Sequence, residues 1–452
     1  MESNSSTVTD LVLEQTCILL ERIFPSPRHF SIQLWGQAEF PANTQSQFTL
    51  VLNHPGALRR MFAPPIELSI GEAYIYGDFD IEGDLYAFYG LLDILLSHNF
   101  TPTEAGKFIK DIQRLPKSGP EYTITRSPAK LQGRLHSRER DMQAICFHYN
   151  VSNEFYALWL DRLMQYSCGY FPTATEDLDT AQAKKVEHIC RKLHLKPGEK
   201  LLDIGCGWGG LAITAAQNYR VNVLGVTLSD EQASYAQKRV ASLGLADQVQ
   251  IEMRDYRDLE RDSFDKIVSV GMFEHVGLTH LPEYFAQAHR LLKPGGLFLN
   301  HGISRTAQPS DLTLLKGLDG DHHTLRPVQS YFEHKVLGIG TFSQHYIFPD
   351  GELVPVSEAN LIAEAAGFEV RDVENLREHY ALTLRNWVSR LDSHHSEASA
   401  LVGEAVYRTW RLYMSFCAVQ FEAGQIAVNQ SLLAKPLSGR VPLPMSRADL
   451  YA

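Results

Sequence analysis

The sequence contains no uninterrupted apolar run near the roughly 18 residues that a membrane-spanning helix needs, so no transmembrane segment is expected. Its start, MESNSSTVTD, lacks the basic beginning and apolar centre of a secretory signal. Cysteine is scarce: six in 452 residues, one of them inside a glycine loop. In a chain this long they read as reduced thiols in the cytoplasm. Positive charge is also short. Lys and Arg number 42 against 53 Asp and Glu, a formal net charge of −11, which argues against a nucleic-acid partner. Internal repeats and low-complexity tracts are absent.

What is present is ordinary globular composition, 44% hydrophobic and 21% charged. The length exceeds one compact core, so two domains are expected. Residues 1–116 carry an apolar helical run from Val8 to Phe24, strand-like FSIQLW and QFTLVL, and the aromatic stretch GEAYIYGDFDIEGDLYAFYGLL, the pattern of a small α+β domain. Residues 117–140 have linker composition. The positive charge is concentrated around them: Lys107, Lys110, Arg114, Lys117, Arg126, Lys130, Arg134, Arg138 and Arg140 stand among only three acids. Such a belt suits either a solvated linker or contact with an anionic membrane surface.

From residue 141 to 452 strands and helices alternate. KLLDIG, VNVLGV, FDKIVSV and GLFLNHGI read as strands, with helical runs at 210–219 and 229–244 between them. This spacing implies an α/β domain with a doubly wound parallel sheet covered by helices on both faces. In LLDIGCGWGGL an apolar strand ends on Asp203 and opens into Gly205, Gly207, Gly209 and Gly210 ahead of a helix. Glycines allow a sharp turn and close approach of a ligand, and the helix start directs amide N–H groups at it. A lone G-x-G also occurs in dinucleotide-binding proteins, but the D-x-G-x-G-x-G form resembles the first motif of class I methyltransferases, a Rossmann-like fold that binds S-adenosylmethionine. In that comparison Thr227 and Leu228 replace the acidic residue that often holds the ribose. The Thr227 hydroxyl and Gln232 can still hydrogen-bond the cofactor, while Ser229 or Asp230 suits a helix N-cap. Asp255 and Tyr256 in RDYRDL fall where such folds place the adenine.

Around these elements the chain resembles the cyclopropane-fatty-acid synthase family. The resemblance rests on HYNVSNEFYALWL, MQYSCGYF, LLDIGCGWGG, VTLSDEQ, RDYRDL, SVGMFEHVG and Tyr380, and it covers most of the chain, including the aromatic N-terminal stretch. It implies methylene transfer from S-adenosylmethionine to the double bond of a phospholipid acyl chain. It also implies a bound bicarbonate ion, cradled by Cys168, Glu274, His301, Ile303 and Tyr380, as the base. An alkene is a weak nucleophile, and the cation left after methyl transfer must lose a proton for a ring to close. A small positioned base suits that step, since a strong side-chain base would risk alkylation. The resemblance further assigns Tyr149 and Ser152 to a segment covering the cofactor, with Tyr166 and Ser167 near its methionine part. Asn150 stands where the family commonly has aspartate.

Taken singly, Cys168 reads as a small core residue and His301 as a strand-end histidine. Residues 304–342 form a segment longer than compact members carry. Its His322, His323 and His334 lack the spacing of a metal site; an acyl-chain lid or a contact within a homodimer is the expectation. Three functions stay open: cyclopropanation at a membrane surface by a peripherally bound cytoplasmic enzyme, the same transfer giving a methylene- or methyl-branched chain, and a non-catalytic lipid-binding protein.

Overall fold

The computed structural model describes residues 3–36, 38–43, 45–91, 102–117, 119, 121–122, 126–260, 264–307 and 340–451. The chain divides into two compact units. Among the described residues no helix is long and apolar enough to cross a membrane.

The first unit comprises Met1–Pro128, Asp319–Tyr346 and Gly403–Val419. Its sheet has the order β2-β1-β3-β4, from strands β1 (Ser31–Leu34), β2 (Ala38–Phe40), β3 (Phe48–Leu52) and β4 (Phe79–Gly83). Alternation in β3 buries Phe48, Leu50 and Leu52 while Thr49 and Val51 stay half-buried, the signature of a sheet covered on one face. The expected division at 116 and 140 does not describe this unit, because two late stretches join it. Tyr346 donates to Glu72 at 2.8 Å, Tyr89 to the Leu412 carbonyl at 2.6 Å, Arg411 to the Tyr74 hydroxyl at 2.7 Å and Arg408 to the Phe79 carbonyl at 3.0 Å. Bonds between residues hundreds of positions apart leave no local trace in composition.

The second unit comprises Ala129–Leu318, Ile347–Val402 and Gln420–Ala452. Its strands are β5 (Lys200–Ile204), β6 (Asn222–Thr227), β7 (Val249–Met253), β8 (Phe264–Val270), β9 (Leu292–Arg305), β10 (Glu369–Asn375) and β11 (Ile426–Ala434). They lie in the order β10-β11-β9-β8-β5-β6-β7. β5 to β9 are parallel, and β11 enters antiparallel between β9 and β10. This is the doubly wound α/β sheet that the strand–helix alternation predicts, with an antiparallel strand near one edge.

Successive strand residues point to opposite faces and build two cores. Leu201, Val268, Leu299 and Leu432 pack with the helices at 178–192 and 210–219 on one face. Leu202, Ile267, Phe298 and Leu433 pack with those at 281–291 and 356–365 on the other. Strand order reverses beside β5, between β6 and β8, and the carboxyl ends of strands at such a reversal are where a crevice forms.

Candidate active site

A cavity opens at that crevice. Asp203, Gly205 and Gly207 from the end of β5, Thr227 and Leu228 from β6, and Asp255 and Tyr256 after β7 line it. Tyr149, Tyr166, Ser167 and Gln232 complete the wall among the expected cofactor residues. Ser152 lies outside the lining. Its hydroxyl caps the helix Asn153–Ala157 by accepting from the Phe155 amide and donates to Glu154.

The chain conformation explains the glycines. Gly205 has φ +78° and Gly207 φ +54°, a region L side chains rarely adopt. A Cβ on Gly205 would stand 2.9 Å from Met272 Cβ, whereas on Gly207 the nearest atom is Gln232 Nε2 at 4.0 Å. Gly205 is therefore glycine for packing as well as for turning, and Gly207 faces open space. Gln232 is fixed for this site: Thr227 donates to its Oε1 at 2.9 Å, which leaves Nε2 for a ligand, and Ser229 caps the helix by accepting from the Gln232 amide. Asp255 is held by the Arg257 guanidinium at 2.7 Å, which also reaches Asp141 at 3.1 Å.

The segment at 149–153 is fastened to the start of the helix Asp230–Ser242. Asn150 accepts from the Ser229 hydroxyl and donates to Asp230, each at 2.7 Å, and Asn153 accepts from Trp208 and donates to Glu231. An aspartate at 150 would present a carboxylate to Asp230. The amide is thus matched to its neighbour in this chain.

Behind Gln165 and Ser167 of the cavity wall sits a group that sequence reasoning missed. Lys185 is fully buried, and its ammonium donates to Gln165 Oε1 at 2.5 Å and to Ser167 Oγ at 2.8 Å. Gln182 binds the Ser167 carbonyl, and Asp161 takes the Gln165 amide. Burial lowers Lys185 to about 8, opposed by Asp161, Cys168 and Asp203. The signal was available: Gln182 and Lys185 share the buried face of the helix Leu178–Lys192 with Ala181, Val186 and Ile189, and polar residues on a core face require partners. Lys185→Met keeps the length and removes the donor. We expect cofactor affinity to fall about 10- to 100-fold, the order of a lost hydrogen bond to a charged group, and stability to fall by about 1–3 kcal/mol because the buried Gln165 Oε1 and Ser167 Oγ lose their donor. Calorimetry showing unchanged affinity in the folded variant would reduce Lys185 to a space filler.

Of the five expected cradle residues, His301 and Ile303 lie on β9 and Glu274 is bonded to it. Glu274, in a short turn after β8, accepts from the Ile303 amide at 2.6 Å through Oε1. Its Oε2 is buried without a partner among the described residues, as is Nε2 of His301. Burial pushes Glu274 up to about 7, moderated by the Ile303 amide, and lowers His301 to about 3, aided by Lys185 and Lys192. Tyr149 is raised by burial first and by Glu274 second, which places the cavity wall within electrostatic reach of that carboxyl. Cys168 is fully buried, and its thiol contacts the Gly169 and Leu376 carbonyls. Burial raises it, so it remains a neutral thiol. Tyr380 is buried with its ring 4.7 Å from Phe421 and 5.9 Å from Trp387. His322, His323 and His334 lie outside the described residues, and among the described residues no cluster suits a metal ion.

The model of the mycolic acid cyclopropane synthetase family matches residues 136–431. A probable fatty acid methyltransferase of Pseudomonas putida is 40% identical over 93% of this chain and 95% of its own. The cyclopropane-fatty-acyl-phospholipid synthase of Escherichia coli K12 is 38% identical over 64% of this chain and 66% of its own. Among solved structures, mycolic acid cyclopropane synthase CmaA1 complexed with SAH and CTAB superimposes with a TM-score of 0.57 at 34% identity, over 65% of this chain and 97% of that one. With its glycine loop at the strand-order reversal and the family model matched across the catalytic unit, the chain belongs to the mycolic acid cyclopropane synthetase family and is an S-adenosylmethionine-dependent methyltransferase.

Proposed function

We propose that this protein transfers a methylene group from S-adenosylmethionine to the double bond of unsaturated phospholipid acyl chains, forming a cyclopropane ring, with a bound bicarbonate ion as the base. The observation that carries this reading is the pair of buried polar atoms without partners among the described residues, Glu274 Oε2 and His301 Nε2, on groups linked through β9, where Glu274 Oε1 accepts from the amide of Ile303, two residues beyond His301. An acceptor and a ring nitrogen together fit a small oxyanion that both accepts and donates hydrogen bonds.

The cavity fits the cofactor. Asp203 Oδ2 is a buried acceptor without a partner among the described residues, suited to a hydrogen-bond-donating, positively charged end. Gln232 Nε2 is an oriented donor, and Gly207 leaves room for close approach. When bound, S-adenosylmethionine supplies an electrophilic methyl group, and bicarbonate supplies a base small enough for the proton that ring closure releases. The chain's own residues do the rest. The Ile303 amide fixes one oxygen of Glu274 and leaves the other to orient the ion. With its pKa near about 7, Glu274 takes up or gives back a proton at small free-energy cost at neutral pH. His301 is neutral and donates or accepts without holding the proton.

The relatives support a lipid substrate through the names of the Escherichia coli and Pseudomonas putida proteins. The second name, a fatty acid methyltransferase whose match spans 93% of this chain, favours an alternative outcome, a methylene- or methyl-branched acyl chain. Mass spectrometry of lipids from cells expressing the chain tests the function: phospholipid acyl chains should gain one methylene, and proton NMR separates ring from branch. Lipids without that gain would overturn the proposal.

The membrane is reached, on this reading, by a peripheral and electrostatic contact from the cytoplasmic side. Four of the nine basic residues are engaged within the protein: Arg114 with Asp111, Arg126 with the Tyr346 carbonyl, Arg138 with Asp258 and Arg140 with Asp350. Lys107, Lys110, Lys117, Lys130 and Arg134 are exposed. Binding to anionic vesicles should therefore weaken with added salt, because exposed charges are screened over about 8–10 Å at physiological ionic strength, and should weaken again in Lys107→Glu/Lys110→Glu. Salt-independent binding would show that charge is not the contact.

A further inference from the structure

His301 in β9 and Gln430 in β11 stand directly opposite in antiparallel register, so their side chains leave the sheet on the same face. Both are buried, Gln430 completely. The Gln430 amide nitrogen lies 3.2 Å from His301 Nδ1. An amide NH2 can only donate, so Nδ1 is the acceptor, and a neutral imidazole then carries its proton on Nε2. That Nε2 is buried and unpartnered among the described residues.

We propose that Gln430 is a positioning residue that locks His301 as a neutral Nε2–H donor toward the oxyanion of the cradle. The proposal rests on the bicarbonate reading of that cradle and deepens it. It divides the labour between the two cradle side chains: Glu274 accepts from the ion and handles its proton, and His301 only donates.

The choice of an amide has a chemical reason. A carboxylate at 430 would accept from Nδ1–H and reverse the tautomer of the neutral ring. The ring would then present a lone pair to the ion and compete with it for the proton. A neutral amide does neither. The surroundings agree, since burial and the positive charges of Lys185 and Lys192 disfavour the imidazolium while Glu374 opposes them. Glu374, opposite Gln430 on β10, is occupied by His188 at 2.7 Å and Lys192 at 2.5 Å. Gln430 Oε1 is itself buried without a partner among the described residues. The His301 contact is accordingly the hydrogen bond that orients this amide.

Nitrogen NMR of the full chain labelled in histidine tests the assignment, with the His301 signals identified by their loss in His301→Gln. In the unsubstituted protein Nε2 should be protonated and Nδ1 not. Gln430→Glu should move the proton to Nδ1 and weaken binding of carbon-13 bicarbonate, followed by NMR titration, about tenfold or more. Gln430→Met, close in size and unable to donate, should weaken it several-fold. Both variants should keep their affinity for S-adenosylmethionine, which shows that the catalytic unit is folded. A protonated Nδ1 in the unsubstituted protein, or equal bicarbonate affinity in all three proteins, overturns the proposal. An unsubstituted protein with the expected tautomer that binds no bicarbonate overturns the identity of the ion instead, and leaves Gln430 as the residue that sets the tautomer.

Discussion

Glu274→Gln should lower turnover about 10²- to 10⁴-fold, the span expected for a lost general acid–base group, while cofactor affinity stays within a few-fold of its original value. The substitution is nearly isosteric. Its amide oxygen can keep the 2.6 Å contact with the Ile303 N–H, so the turn after β8 remains tied to β9. What changes is the second oxygen. Glu274 Oε2 is a buried acceptor with no partner among the described residues, and an NH2 there donates where it should accept. The proton-bearing oxygen of a bound hydrogen carbonate then has nothing to bind, and the ion loses the orientation that turns its basic oxygen toward the substrate. Depletion of dissolved carbon dioxide should slow the unsubstituted enzyme, and added bicarbonate should restore it. The variant should respond weakly to both. A purely structural role for Glu274 makes the opposite forecast, namely a modest loss of stability with full activity per folded molecule. Normal turnover by Glu274→Gln, or indifference of the depleted enzyme to bicarbonate, would remove the carboxyl from the chemistry.

The catalytic unit was legible in the sequence wherever local pattern and tertiary demand coincide. KLLDIG, VNVLGV and FDKIVSV are strands because β-branched and aliphatic runs buried on both faces have few other solutions, and they appear within a residue of their expected bounds as β5, β6 and β8. The glycine loop was legible for the same reason, since a positive φ at Gly205, Gly207 and Gly209 excludes most other residues. The expected cofactor residues line one cavity apart from Ser152, whose position three residues before Phe155 suits a helix cap as well as a ligand contact. Sequence could not show which polar atoms are already used. Thr227 spends its proton on Gln232, Asp255 is bound by Arg257, and four of nine cations in the basic belt are committed to partners elsewhere. The pairings of Arg126, Arg138 and Arg140 depend on parts of the chain brought near by folding, and the local ones depend on rotamers that sequence does not specify. Lys185 and Gln430 were missed for a related reason. Their meaning lies in what they touch, and a lysine or glutamine on a buried face carries no label for its partner. The first unit shows the same limit at larger scale, because Tyr346, Arg408, Arg411 and Leu412 join it from far along the chain.

Gly207→Val should abolish measurable binding of S-adenosylmethionine, or reduce its affinity on the order of 10²-fold or more, in a protein that still folds. The two glycines of the loop differ in what a substitution reports. At Gly205 an added Cβ meets Met272 Cβ at 2.9 Å, so any side chain disturbs the protein whether or not a ligand binds. At Gly207 the nearest atom to an added Cβ is Gln232 Nε2 at 4.0 Å, and the cost within the protein is the left-handed backbone, about 1–2 kcal/mol for a residue with a Cβ. The two valine methyls beyond that Cβ extend into the cavity beside the donor that Thr227 orients. A ligand that needs this space must then give up contact with Gln232 and with the loop backbone, and each 1.4 kcal/mol lost is about tenfold in affinity. Gly207→Ala separates the two effects: it carries the backbone cost without the branched methyls and should fall between the parent and Gly207→Val. Calorimetric titration of all three, with thermal unfolding as the check on folding, decides the matter. Unaltered affinity in a folded Gly207→Val would mean that the cofactor does not approach this loop, and the assignment of the cavity would fall with it.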